Sequence, residues 1–226
     1  MPIPRPPRRP ARRFPRRGRA SLSVVLLVLF GSGCLRNHLT DEVPVNPDLT
    51  IHVVIENPVG SDEKWEVQSD GRLVQEHRGG EPVRIPYLPW PANSGMIPRT
   101  LLSEELGGDR EPLDVLVLGP ALPRGATVRA RPIGLLHVVD RLERDDKIIA
   151  VVPGERFGEL RDVDELEARY PGVREILSRW YAHSRPGGGI EVQGYGSRGA
   201  ANLLIADGVR AFEDALREGT MPVWRR

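Results

Sequence analysis

Hydrophobic positions in this 226-residue chain run in short blocks or alternate through its middle, and take a helical period only near its end. Ile51 to Ile55 is a short apolar block closed by Asn57 and Pro58, which predicts a strand ended by turn residues. Residues 64–67 and 72–76 flank Asp70 and Gly71, and a second pairing, of 73–78 with 83–88, spans Gly79 and Gly80. Residues of that type between β-rich runs predict hairpins. Residues 114–118, 127–140 and 147–152 are rich in branched apolar side chains and predict further strands. A 3.6-residue period begins over 163–168. It is amphipathic over 173–183, through Val173, Ile176, Leu177 and Trp180, and a longer helix is expected over 200–216. Strands first and helices afterwards is an α+β order, with the strands closed most simply as a small barrel flanked by the helices.

The first 50 residues carry a different signature. Residues 1–19 are dominated by Pro and Arg; residues 20–30 are apolar; Gly31, Ser32, Gly33 and then Cys34 follow. The apolar run is well short of the ~20 residues that span a bilayer. A basic start, a short apolar run and small residues describe a secretory signal peptide, here 1–33. Cys34 is the single cysteine of the chain, so no internal disulfide or multi-cysteine metal site is available. Its place after the small residues resembles a bacterial lipobox, with Gly31 where leucine is preferred. That resemblance implies acylation of Cys34 and a membrane-anchored protein on the periplasmic or extracellular side; the alternative is a start codon set too early and a cytoplasmic protein. Residues 34–50 contain Pro44 and Pro47 and no apolar period, and read as a tether. The folded domain is then 51–217, followed by a short tail, 218–226.

Composition narrows the function. The chain is 39% hydrophobic and 28% charged, with only 5% aromatic residues to stack on bases. Its net charge of +1 hides a division. Eight arginines fall in the first 20 residues, leaving 24 basic against 31 acidic side chains in the remainder. An acidic body excludes a nucleic-acid surface and favours one that gathers cations.

The acids crowd three places. Glu56 has Lys64 and Glu66 just downstream; Asp109, Glu111 and Asp114 lead into a strand; Asp140 and Asp145 end one strand and begin the next. Carboxylates at strand ends converge when the strands share a sheet, and converging carboxylates repel unless cations neutralise them. Oxygen ligands without cysteine suit Mg²⁺, or Mn²⁺, rather than Zn²⁺. Lys64 and Lys147 are the two lysines among 32 basic residues, and both fall inside acidic clusters. A lysine is a compact point donor suited to a phosphate oxygen.

With these residues in view, the chain resembles the family I soluble inorganic pyrophosphatases. The likeness is carried by VVIE at 53–56, KWE at 64–66, PANSGMIPRTL at 91–101, DREPLDVLVL at 109–118, RARPIG at 129–134 and DDKIIAV at 145–151. It implies a five-stranded OB-like barrel with flanking helices and Mg²⁺-dependent hydrolysis of pyrophosphate to two phosphates. Bacterial members are commonly homo-oligomers. Matched position by position, Asp109, Asp114, Asp140 and Asp145 are metal ligands, and Glu56 and Glu66 are supporting acids. Lys64, Lys147 and Arg185 hold phosphate. The substrate arginine is Arg84 or Arg78, of which Arg84 is preferred.

The departures are specific. Glu111 stands where the family has an aspartate that orients or activates the attacking water. Family tyrosines are replaced by Trp90, Ser94 and Ser184, the two serines keeping a hydroxyl at substrate-binding positions. Tyr181 and Tyr87, each three residues before a departure, have two readings: a source of the missing hydroxyl, or ordinary packing. These changes leave two further readings open: a phosphate- or pyrophosphate-binding lipoprotein with weakened or absent turnover, and a hydrolase of another diphosphate.

Overall fold

The computed structural model describes residues 39–185 and 187–223; the signal-peptide run, Cys34 and the start of the tether lie outside them. In chain order the strands are β1 (Ile51–Asn57), β2 (Trp65–Val67), β3 (Leu73–Gln75), β4 (His77–Arg78), β5 (Glu81–Pro82) and β6 (Asn93–Met96). They continue as β7 (Asp114–Leu118), β8 (Thr127–Asp140), β9 (Glu143–Arg144) and β10 (Lys147–Val151). Helices α1 (Val163–Arg169) and α2 (Val173–His183) follow, then β11 (Ile190–Ser197) and α3 (Arg198–Glu218).

Five strands form a ring. β1 pairs with β6, β6 with β7, β7 in parallel with β10, β10 with β8, and β8 returns to β1. The 14-residue β8 is long enough to close the ring with its first residues and to pair β11 and β9 with its last. The ring is the small barrel expected from the strand order, and the three helices pack on it. Two apolar layers meet across it. Val115, Val117, Ile148 and Ala150 face a core shared with Ala201, Leu204 and Ile205 of α3. The alternate positions Leu116, Leu118, Ile149 and Val151 face Leu160, Val163, Leu166, Leu177 and Trp180. Covered on both faces, β7 and β10 read as continuous apolar runs rather than alternating ones.

Helix ends follow their capping residues. Asp162 accepts from the Asp164 N–H and Ser197 from the Ala200 N–H at the starts of α1 and α3, and Gly219 closes α3 in the left-handed region. The expected helices appear, with α3 two residues longer at each end.

The expected second hairpin is much shorter. Gly79 and Gly80, both at positive φ, turn only β4 into β5. Residues 83–88 form no strand, because Pro82, Pro86 and Pro89 remove ladder donors. Three strands escaped the hydrophobic pattern, the two-residue β9 among them. β6 is mostly small and polar, and β11 loses its alternation in glycines after Gln193. The tether is also corrected from Leu39 onward. Val45 bridges Ile51 and packs on the core, Leu39 packs on Val54, Val67 and Met96, and Asp48 pairs with Arg129 at 2.8 Å. Its two prolines shape a turn rather than a free linker.

Candidate active site

Register brings the acids together. Lys147 opens β10 directly opposite Asp114, which opens the parallel β7. The buried Lys147 ammonium donates to Asp114 Oδ2 and, at 2.5 Å, to Asp145 Oδ1. Burial works against the charge on Lys147, but Asp114 and Asp145 hold it well above the usual lysine range. Burial pushes the Asp114 carboxyl up to about 6, with Asp145 adding to the rise and Lys147 opposing it. Asp140, at the end of β8, accepts from Arg185 Nη1 at 2.5 Å.

The loop before β7 is held by its own acid. The Glu111 N–H donates to Asp109 Oδ1 at 2.9 Å, an Asx turn, and Arg110 between them adopts φ +62°. The Glu111 carbonyl and the Arg110 N–H both bond Leu102, tying this turn to the wall.

On the opposite wall, Glu56 of β1 accepts from the Val67 N–H at 2.7 Å. Lys64 lies between Glu66 at 2.8 Å and Glu76 at 2.7 Å. The floor is fixed by Asn93 beside Ser94. Its amide donates to the Val117 and Pro120 carbonyls and accepts from the Val59 and Leu122 N–H groups, so this asparagine of the β6 motif is structural.

These groups line one cavity of about 460 Å³ at the end of the ring. All thirteen site residues expected from the sequence within the described region line it. They are Asp109, Glu111, Asp114, Asp140, Asp145 and Lys147 on one side, Glu56, Lys64, Glu66 and Arg84 on another, with Ser94, Ser184 and Arg185. Cys34 lies outside the described residues. Three particulars differ from expectation. Both candidate arginines line the cavity: Arg84 pairs with Asp62 at 2.6 Å and Glu63 at 3.6 Å, whereas Arg78 shares Glu76 with Lys64. The Ser184 hydroxyl donates to the Tyr181 carbonyl at 3.2 Å, closing the end of α2. Tyr181 lines the cavity, while Tyr87 stacks on His183 outside the lining. Burial raises the Tyr181 hydroxyl above the usual tyrosine range although Lys147 pulls it down, so it is a neutral donor.

Glu76 and Glu143 also line the cavity and were not foreseen. Glu143 lies between Asp140 and Asp145 in the sequence, a spacing that could have flagged it; Glu76 sits in an exposed-looking hairpin with no such signal. Trp180, foreseen only as a core residue, lines it too and packs on Trp90 with ring centroids 4.7 Å apart.

The donor set fits a hard divalent cation. Every candidate ligand is a carboxylate, and Asp114 is pushed toward its protonated form by burial and by Asp145 and Asp109, an excess of negative charge that a cation relieves. Glu66 is buried with Oε1 2.8 Å from the Lys64 ammonium, and its Oε2 has no hydrogen-bond partner among the described residues. As they stand, no three His, Cys, Asp or Glu side chains among the described residues are close enough to enclose an ion. Lys147 and Arg185 now neutralise the acids that would do so.

Comparison with known proteins points the same way. The family profile described as inorganic pyrophosphatase matches residues 53–213. The inorganic pyrophosphatase of Gluconobacter oxydans is 35% identical over 169 residues, 71% of this chain and 90% of that protein. That of Pseudomonas aeruginosa is 33% identical over 180 residues, 76% of this chain and 97% of that one. The crystal structure of inorganic pyrophosphatase from Thermus thermophilus superposes with a TM-score of 0.67 and 26% identity, covering 78% of this chain and 99% of that one. With the profile spanning the ring, the cavity and most of α3, this chain belongs to the inorganic pyrophosphatase family.

Proposed function

We infer that this chain hydrolyses inorganic pyrophosphate to two phosphates. The observation that carries the reading is the convergence, on one cavity, of acids and cations that lie far apart in sequence, in a chain of this family. Mg²⁺ is the cofactor the carboxylates suit best; Asp109, Asp114, Asp140 and Asp145 would hold it, with Glu56 and Glu66 supporting. When bound, it supplies neutralisation of phosphate charge and a lowered pKa for the attacking water. Glu111, fixed on its turn, orients that water and accepts its proton. Lys64, Arg78, Lys147 and Arg185 bind phosphoryl oxygens and stabilise charge on the departing phosphate. Arg78 is preferred to Arg84 because it shares a counter-ion with Lys64.

The test is phosphate release from pyrophosphate with Mg²⁺ present. Asp114→Asn should lower the rate by at least about 10²-fold, the scale of losing one preorganised electrostatic group. Equal release by variant and parent would remove Asp114 from the mechanism. An exported, lipid-anchored location is proposed on the arginine-rich start, the short apolar run and the sole cysteine at position 34.

A further inference from the structure

Lys64 and Arg78 share one counter-ion. Glu76 Oε2 is 2.7 Å from the Lys64 ammonium, and Glu76 Oε1 accepts from Arg78 Nη2 at 3.1 Å. A two-oxygen anion thus bridges two cations in the cavity wall, the arrangement that two oxygens of a phosphate group would take. The Glu76 side chain is 12% exposed, against 30% for Lys64 and 81% for Arg78, so the carboxylate lies deeper than either cation.

The backbone keeps it there. The Glu76 N–H donates to the Lys64 carbonyl at 2.9 Å, the Lys64 N–H to the Val83 carbonyl at 3.3 Å, and the Val83 N–H to the Glu76 carbonyl at 2.8 Å. Glu66, 2.8 Å from Lys64, completes a group of two cations and two anions. Their charges cancel, so this wall presents no net positive charge to an arriving anion. Burial works to raise the Glu76 carboxyl, but Lys64 and then Arg78 hold it below the usual range, so it is an anion at neutral pH.

We propose that Glu76 tunes the anion affinity of this wall, as an internal counter-anion that occupies Lys64 and Arg78 and that a phosphate group must displace. It weakens anion binding at this wall, and it returns to the cations as product phosphate leaves, which favours release. This rests on reading the cavity as the pyrophosphate site, and it concerns a residue outside the acids and lysines expected from the sequence.

The experiment compares the full-length parent with Glu76→Gln. Calorimetry measures inorganic phosphate binding, and kinetics measure KM and kcat for pyrophosphate. Glu76→Gln should bind phosphate about three- to tenfold more tightly, the scale of releasing two partly exposed ion pairs, with a lower KM and no gain in kcat. The tightening should vanish when Lys64→Met is added. A merely structural role would instead weaken phosphate binding and raise KM. Unchanged or weaker phosphate binding by folded Glu76→Gln, or binding by neither protein, overturns the proposal. Should Glu76→Gln fail to fold, Glu76→Asp is one methylene too short to bridge both cations. Tighter phosphate binding by that variant supports the proposal, and unchanged or weaker binding overturns it. If the parent does not hydrolyse pyrophosphate, the functional reading fails, while the phosphate measurement still decides the role of Glu76.

Discussion

Lys147 and Ser184 set the state of the cavity one residue at a time. Lys147 is the buried counter-ion of Asp114 and Asp145. Removing one partner of a buried pair leaves uncompensated charge, so Lys147→Gln should destabilise the metal-free protein by about 3–5 kcal/mol. The same substitution frees both carboxylates, and Mg²⁺ should then raise the melting temperature of the variant more than that of the parent. Thermal melts with Mg²⁺ and with a chelator check both statements; a smaller rise in the variant would show that the ammonium does not compete with the cation. Ser184 is buried and spends its hydroxyl proton on the Tyr181 carbonyl, beside the packed Trp180 and Tyr181 rings. A tyrosine there loses this bond and must fit its ring beside Trp180 and Tyr181 at the cavity edge. Ser184→Tyr should lower stability by about 1–3 kcal/mol and lower turnover with it. A rise in turnover would show instead that this serine marks a lost phosphate contact.

At the scale of elements, the ring depends on close approach between β1 and β6. A Cβ on Gly95 would stand 2.0 Å from the Val54 carbonyl oxygen, so only glycine lets these strands pair. Gly95→Ala should cost at least about 3 kcal/mol, measurable by denaturant unfolding, because backbone rather than a flexible side chain must move. The first hairpin, β2 with β3, pairs as the sequence predicts, and it is the second hairpin and Glu76 that were hard to read. Period-2 patterning needs several residues to be visible, and β2 to β5 are two or three residues each. Their positions come from turns, from prolines and from backbone bonds to Lys64, none of which has a hydrophobic period.

For the molecule as a whole, ionised carboxylates fasten the loops and hairpins to the ring. Hydrogen bonds from Trp65 and Arg124 hold Glu63 below its usual 4.5, and Lys64 and Arg78 hold Glu76 below it against burial. Groups with a lowered folded-state pKa stabilise the protein above their unfolded value and lose that contribution as pH falls through the lower folded value. Asp114, raised to about 6, works the other way and adds stability as pH falls from about 6 to about 4. Melting temperature should therefore be flat near neutrality, hold or rise toward about pH 5 and fall below about pH 4.5, with a shallower fall in Glu76→Gln. Equal slopes would remove Glu76 from this acid response. For the proposed export, mass spectrometry of protein from its native host should find acylated Cys34 as the first residue, and an unmodified start upstream of it would end that proposal. By itself the sequence determined the strand-then-helix order, the amphipathic α2 and the acids and lysines of the cavity, because local periodicity and residue chemistry are written in single positions and short spacings. Only the tertiary structure decided that Lys147 lies opposite Asp114, that Arg78 rather than Arg84 joins Lys64, that Ser184 bonds its own helix, and that Glu76 sits between two cations. Those facts follow from strand register, ring closure and competition among nearby charges, which depend on residues brought together from distant parts of the chain.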